Sequence, residues 1–121
     1  MNGNILIKYM KKINDQFEVL RKIQKNPRAS QREMANDLGF SLGKLNYCLR
    51  SLKEKGFIKI KNFKNNPDKQ NYLYILTPDG LREKTTLTLN FMKRKMKEYD
   101  ELKIEIQELE NIKKGNPKIF N

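Results

Sequence analysis

Asn46, Tyr47 and Arg50 lie within one short basic segment, with Ser41, Gly43, Lys44 and Ser51 close by. On a helix whose leucines are buried, Gly43, Lys44, Tyr47, Arg50, Ser51 and Glu54 fall on the outer side, with Asn46 and Lys53 at one edge. The groups there suit the surface of a nucleic-acid duplex. The guanidinium fork of Arg50 matches the acceptor pair of guanine, the Asn46 amide matches adenine, and the hydroxyls of Tyr47 and Ser41 suit phosphate. Gly43 removes a side chain where a backbone could approach closely. A purely solubilising face would favour Glu over the Tyr and Asn found here.

Charge points the same way. Lys and Arg number 26 against 14 Asp and Glu, a formal +12 on 121 residues, which calls for a polyanionic partner because clustered cations release counterions from phosphates. Residues 1–76 hold 16 basic and 6 acidic side chains, whereas residues 77–121 hold 10 and 8. Between Ser41 and Lys64 alone there are seven basic residues, and Glu54 is the one acid. Lys59, Lys61, Lys64 and Lys69 follow the basic helix and would grip the neighbouring backbone or minor groove, adding affinity but little sequence information.

Other chemistries find little support. The sequence has no histidine and one cysteine, so His-dependent hydrolysis, a structural zinc site and a disulfide framework are excluded. No paired acid and base, nucleophile constellation or Gly-rich phosphate loop is visible, so no enzyme, cofactor or metal is expected, and no small-molecule effector signature is seen. No apolar run approaches the roughly 20 residues of a membrane span, so a soluble cytoplasmic, nucleoid-associated protein is expected. Cys48 borders the leucine row and reads as a small buried thiol more readily than as a redox sensor.

The elements that must position these groups follow from local signals. Residues 1–14 are weakly amphipathic and read as an arm or an extra helix. A helix is predicted from about Asp15, placed to cap it, to Gln24, with Phe17, Leu20 and Ile23 on one side and Asn26-Pro27 as its stop. Ser30-Gln31-Arg32-Glu33 forms a capping box that opens a second helix, which Gly39 terminates. Ser41 caps a third helix running to Lys55, with Leu42, Leu45, Leu49 and Leu52 as its buried row and Gly56 as its stop. The period then alternates. Phe57–Lys61, with Ile58 and Ile60 inward, and Tyr72–Leu76 are expected to pair as a hairpin across a charged turn at 64–71.

Thr77-Pro78-Asp79 opens a last helix with no breaker before Gly115, roughly 50 Å long at 1.5 Å per residue. Leu81, Leu89, Met92, Met96, Tyr99, Leu102, Ile106, Leu109 and Ile112 recur along it at spacings of mostly three and four, a ragged heptad. A coiled-coil-like homodimer is expected, with Leu89, Met92, Met96, Tyr99, Leu102, Ile106 and Leu109 in the seam. Packing of this helix on its own domain or on residues 1–14 is the alternative. The expected fold is mainly α with a small β-hairpin: a winged helix-turn-helix domain at 15–77, a dimerisation helix at 78–114 and a flexible tail at 115–121.

The strings Ser30-Gln31-Arg32-Glu33-Met34-Ala35, Ser41-Leu42-Gly43-Lys44-Leu45-Asn46-Tyr47-Cys48-Leu49, Lys55-Gly56 with Ile58–Phe63, and Leu76-Thr77-Pro78-Asp79-Gly80 carry a resemblance. From about Phe17 to Leu109 the chain resembles the EPS-associated subgroup of MarR-family transcriptional regulators, most specifically through the string at 42–49. The resemblance implies a homodimer on a palindromic operator, with the helix at 42–55 reading the major groove of double-stranded DNA and the hairpin at 57–77 as its wing. It also implies a gene context of surface or exopolysaccharide synthesis. Larger relatives flank the module with extra helices that form a ligand crevice, whereas here one C-terminal helix must suffice. Two other readings stay open on the residues: a winged-helix adaptor whose long helix pairs with another protein, and an RNA-binding module.

Overall fold

Breakers and caps divide the described residues into six elements. The computed structural model describes residues 3–62 and 72–115, with Asn62 and Tyr72 described by backbone alone. In order these are α1 (Gly3–Lys25), α2 (Gln31–Leu38), α3 (Leu42–Glu54), β1 (Ile58–Asn62), β2 (Tyr72–Leu76) and α4 (Pro78–Gly115). The result is a mainly helical chain with one antiparallel hairpin, in winged helix-turn-helix order, followed by a long C-terminal helix. It divides into two compact units, Met1–Leu87 and Thr88–Asn121, so the first ten residues of α4 belong with the winged helix.

The predicted caps are in place. Ser30 Oγ accepts from the Glu33 amide and Ser41 Oγ from the Lys44 amide, each at 3.1 Å, satisfying donors that a helix N-terminus leaves free. Gly39 and Gly56 take φ of 69° and 76° just past α2 and α3, the left-handed conformation in which a side chain is strained.

The core of the first unit joins Val19, Leu20 and Ile23 of α1, Met34 and Ala35 of α2, Leu45, Cys48, Leu49 and Leu52 of α3, Ile58 and Tyr74 of the hairpin, and Ala29 between α1 and α2. Tyr74 enters this core with its hydroxyl satisfied by Gln31 Nε2 at 2.9 Å, while its amide donates to the Pro27 carbonyl at 3.1 Å. The hairpin is thus fastened to the connection between α1 and α2. Register pairs Ile58 with Leu76, Ile60 with Tyr74 and Lys61 with Leu73.

A second fastening joins the hairpin to α4. Thr77 donates from Oγ1 to the Gly56 carbonyl at 2.5 Å and from its amide to the Phe57 carbonyl at 3.0 Å, while Oγ1 accepts from the Gly80 amide at 3.0 Å. One residue therefore caps α4 and closes the root of the wing. Gly80 is buried there, and a Cβ built on it would lie 1.9 Å from the Phe57 carbonyl oxygen.

Three expectations are corrected. Asp15 does not cap a helix: α1 is continuous from Gly3, with no Pro or Gly between residues 4 and 25 to interrupt it. Residues 3–14 are therefore the first half of α1, whereas its buried residues all lie between Gln16 and Ile23. Leu42 is 46% exposed rather than part of the buried row, since it sits at the first position of α3, beyond the packed part of that helix. Ile60 is 37% exposed although Ile58, on the same face, is buried: at that level of the hairpin the helical layer covers Tyr74, its partner on β2, and leaves the β1 side open. Lys64 and Lys69, the turn at 64–71 and residues 116–121 of the tail lie outside the described residues.

Two predictions follow from this packing. Gly80→Ala forces the Phe57 carbonyl away from α4 and should destabilise the fold by about 2–3 kcal/mol in urea unfolding, as overpacked sites do. Burial pushes the Cys48 thiol up, the Asp15 carboxylate adds to this, and Lys44 and Lys12 oppose it. The folded state therefore keeps its proton to higher pH than the unfolded chain, and the stability this confers is complete below the ordinary thiol range and lost as pH rises through it. Between about pH 7 and about pH 10 the wild-type urea midpoint should fall further than that of Cys48→Ala.

Candidate nucleic-acid interface

Burial of Leu45, Cys48, Leu49 and Leu52 turns the opposite side of α3 outward. Gly43, Asn46, Tyr47, Arg50, Lys53 and Glu54 are all exposed, and Ser41 is exposed at the N-cap. Among the described residues no carboxylate pairs with Arg50 or Lys53, so both cations face outward uncompensated. The row Gly43, Tyr47, Arg50, Glu54 runs along the centre of this face at helical spacing. Lys59 and Lys61 are exposed on β1, paired in register with Ile75 and Leu73 of β2. The structure thus presents a helix face carrying exposed Asn46, Tyr47 and Arg50 and a hairpin strand carrying exposed Lys59 and Lys61.

Two residues expected on that face lie elsewhere. Lys44 turns to the flank of α3 that meets α1, where its Nζ lies 3.2 Å from Asp15 Oδ2 and 4.1 Å from the centre of the Phe40 ring. Ser51 is half-buried on the same flank, its Oγ accepting from Gln16 Nε2 at 3.1 Å. Lys55 completes the row by donating to Gln16 Oε1 at 3.0 Å. Tyr47, on the outer face, is 58% exposed and has Lys12 Nζ 5.5 Å from its ring centre.

Residues 44, 48, 51 and 55 therefore form a mixed polar seam against residues 12, 15 and 16 of α1. The sequence-based reading missed the α1 side of this seam. A signal was present, since Gln16 falls one turn before Leu20 and Ile23 in the row that packs inward, where an apolar residue would be expected. Its amide is buried and uses both ends, consistent with the rule that a buried polar group must be hydrogen-bonded. Beside the seam, Tyr9, Ile13, Gln16, Leu52, Lys55, Phe57, Glu83 and Leu87 help to line a cleft of about 180 Å³.

Among the described residues no group of three His, Cys, Asp or Glu side chains could hold a metal ion. No helix among them is long and apolar enough to cross a membrane.

Comparison with known proteins agrees with this geometry. Residues 16–59 match the family model described as winged helix-turn-helix DNA-binding. No curated protein matches the chain. Among solved structures the chain is similar to wild-type MarR from E. coli in its apo form, at 21% identity and a TM-score of 0.58 over 93% of this chain and 97% of that one. It is similar to Staphylococcus aureus MepR, a transcription regulator of the multidrug efflux pump MepA, at 15% identity and a TM-score of 0.60 over 98% and 99%. It is also similar to the PcaV transcriptional regulator from Streptomyces coelicolor, at 18% identity and a TM-score of 0.60 over 84% and 79%. At these identities the shared property is the fold, and the matched segment is a winged helix-turn-helix domain.

Proposed function

We propose that this protein is a sequence-specific, double-stranded DNA-binding transcriptional regulator that acts as a homodimer and has no enzymatic activity. The observation that carries the reading is the exposed face of α3, where Arg50, Asn46 and Tyr47 lie together on a helix inside the segment matched as a DNA-binding domain. Such a helix enters the major groove with its N-terminal part at base edges, and the hairpin beside it grips the backbone. Arg50 and Asn46 read bases, Tyr47 and Ser41 contact phosphate, Gly43 allows close approach, and Lys59 and Lys61 supply wing contacts. Lys64 and Lys69 extend the wing on sequence grounds alone.

The homodimer is supported by the second unit, whose large apolar side chains are exposed among the described residues. Leu89, Met92, Met96, Tyr99, Leu102, Ile106 and Leu109 are all between 47% and 62% exposed. A helix with that many exposed large apolar groups gains stability by pairing, and a symmetric partner suits an inverted-repeat operator. The subgroup resemblance adds regulation of surface or exopolysaccharide synthesis genes.

Selection from a random duplex pool at near-physiological salt tests this reading, and enrichment of an inverted repeat with half-sites about one helical turn apart is expected. On that site Arg50→Ala and Asn46→Ala should each cut discrimination by about 1–3 kcal/mol, whereas Lys61→Ala should weaken all sequences alike. Salt-sensitive binding without enrichment, or preference for RNA in direct competition, would overturn the assignment. In sedimentation the 14.4 kDa chain should run as a dimer, and a chain ending at Met92 as a monomer; a monomeric full chain contradicts the pairing.

A further inference from the structure

The seam between α1 and α3 holds a charge that a DNA-binding helix would ordinarily spend on phosphate. Lys44 lies in the first turn of α3, the end that comes nearest a duplex. Its ammonium is nevertheless held on two sides, by the Asp15 carboxylate at 3.2 Å and by the face of Phe40 at 4.1 Å. Phe40 packs against the core and is a fixed wall. The pair is partly shielded from water, the side chains of Lys44 and Asp15 being 37% and 21% exposed, so its attraction is screened less than that of an open surface pair.

The sequence makes this placement specific. Asp15 is the one acidic residue among the first 17, in a segment that also holds Lys8, Lys11 and Lys12. That lone carboxylate faces the one basic residue of the first turn of α3. Burial and then the Asp15 carboxylate push the Cys48 thiol up while Lys44 and Lys12 oppose them, so these charges share one neighbourhood.

We propose that Asp15 withholds Lys44 from the DNA backbone, so that Lys44 fixes the seating of α3 on α1 and adds nothing to sequence-independent affinity. The inference rests on the DNA-binding reading and narrows it. A phosphate could recruit Lys44 only by displacing a carboxylate and an aromatic wall already in place, whereas a lysine without that carboxylate would add one counterion-releasing contact. Asp15 thereby lowers the sequence-independent part of the affinity for every duplex alike and leaves the base contacts of Arg50 and Asn46 untouched, so non-specific retention weakens while discrimination between sites is kept.

The test compares four full-length proteins, wild type, Asp15→Asn, Lys44→Met and the double variant, each checked by circular dichroism, on a random-sequence duplex across a salt series. Lys44→Met should leave the wild-type salt slope unchanged. Asp15→Asn should steepen it by about 0.9 and tighten binding several-fold at low salt, and Lys44→Met should abolish that gain in the Asp15→Asn background. Lys44→Met removes one positive charge in both backgrounds, so the effect of net charge cancels when its two effects are compared. An equal loss from Lys44→Met in both backgrounds means that Lys44 already contacts phosphate, and no effect in either means that it never reaches the duplex; both outcomes overturn the proposal. If Asp15→Asn does not fold, a flattened slope in Lys44→Met alone suffices to reject it. Absence of salt-dependent duplex binding by the wild type removes the DNA-binding reading itself, and this inference with it.

Discussion

The organisation of the first unit depends on the burial of one row of α3. Leu45, Cys48, Leu49 and Leu52 are almost wholly removed from water. That burial fixes the rotation of the helix about its own axis, and rotation decides which side chains are offered outward. A change of one position in the packed row would swing the helix by about 100° and carry Arg50 and Tyr47 out of the exposed face. The chemistry of the surface is thus a consequence of the hydrophobic effect acting on the other side of the same helix.

Apolar packing alone leaves freedom along the helix axis, since leucines tolerate sliding better than hydrogen bonds do. The polar seam removes that freedom. Gln16 engages Ser51 and Lys55, which are 35 and 39 positions away in sequence, and both ends of its amide must be satisfied together. Oil sets rotation and polar contacts set register, so the two kinds of interaction do different work on one element.

The same division explains what could be read from residues alone. Caps and stops are local, so Ser30, Ser41, Thr77, Gly39 and Gly56 announced their roles from nearest neighbours, and the strand at Tyr72–Leu76 announced itself by composition. The outward positions of Arg50, Asn46 and Tyr47 followed from helical periodicity. Leu42 and Ile60 depart from the expected burial because periodicity tells which side of an element is apolar but not how far the neighbouring layer extends. Asp15 has the composition of a cap, and only the continuity of α1 and the presence of Lys44 across the seam give it another role. Lys44 shows the limit most plainly, since a sequence supplies the count of charges while the fold supplies their partners.

Thr77 and Gly80 bear on how the module folds. A two-stranded hairpin is marginal by itself, and this one is closed at its root by the first turn of a helix that follows it in the chain. The two pieces share one residue: the Thr77 hydroxyl that caps α4 also donates to the Gly56 carbonyl at the root, and Gly80 in the first turn packs against the Phe57 carbonyl. The wing and the start of α4 therefore belong to one cooperative unit that opens and closes as a whole, and the boundary at 77/78 suggested by the change of secondary structure is a boundary of geometry but not of stability.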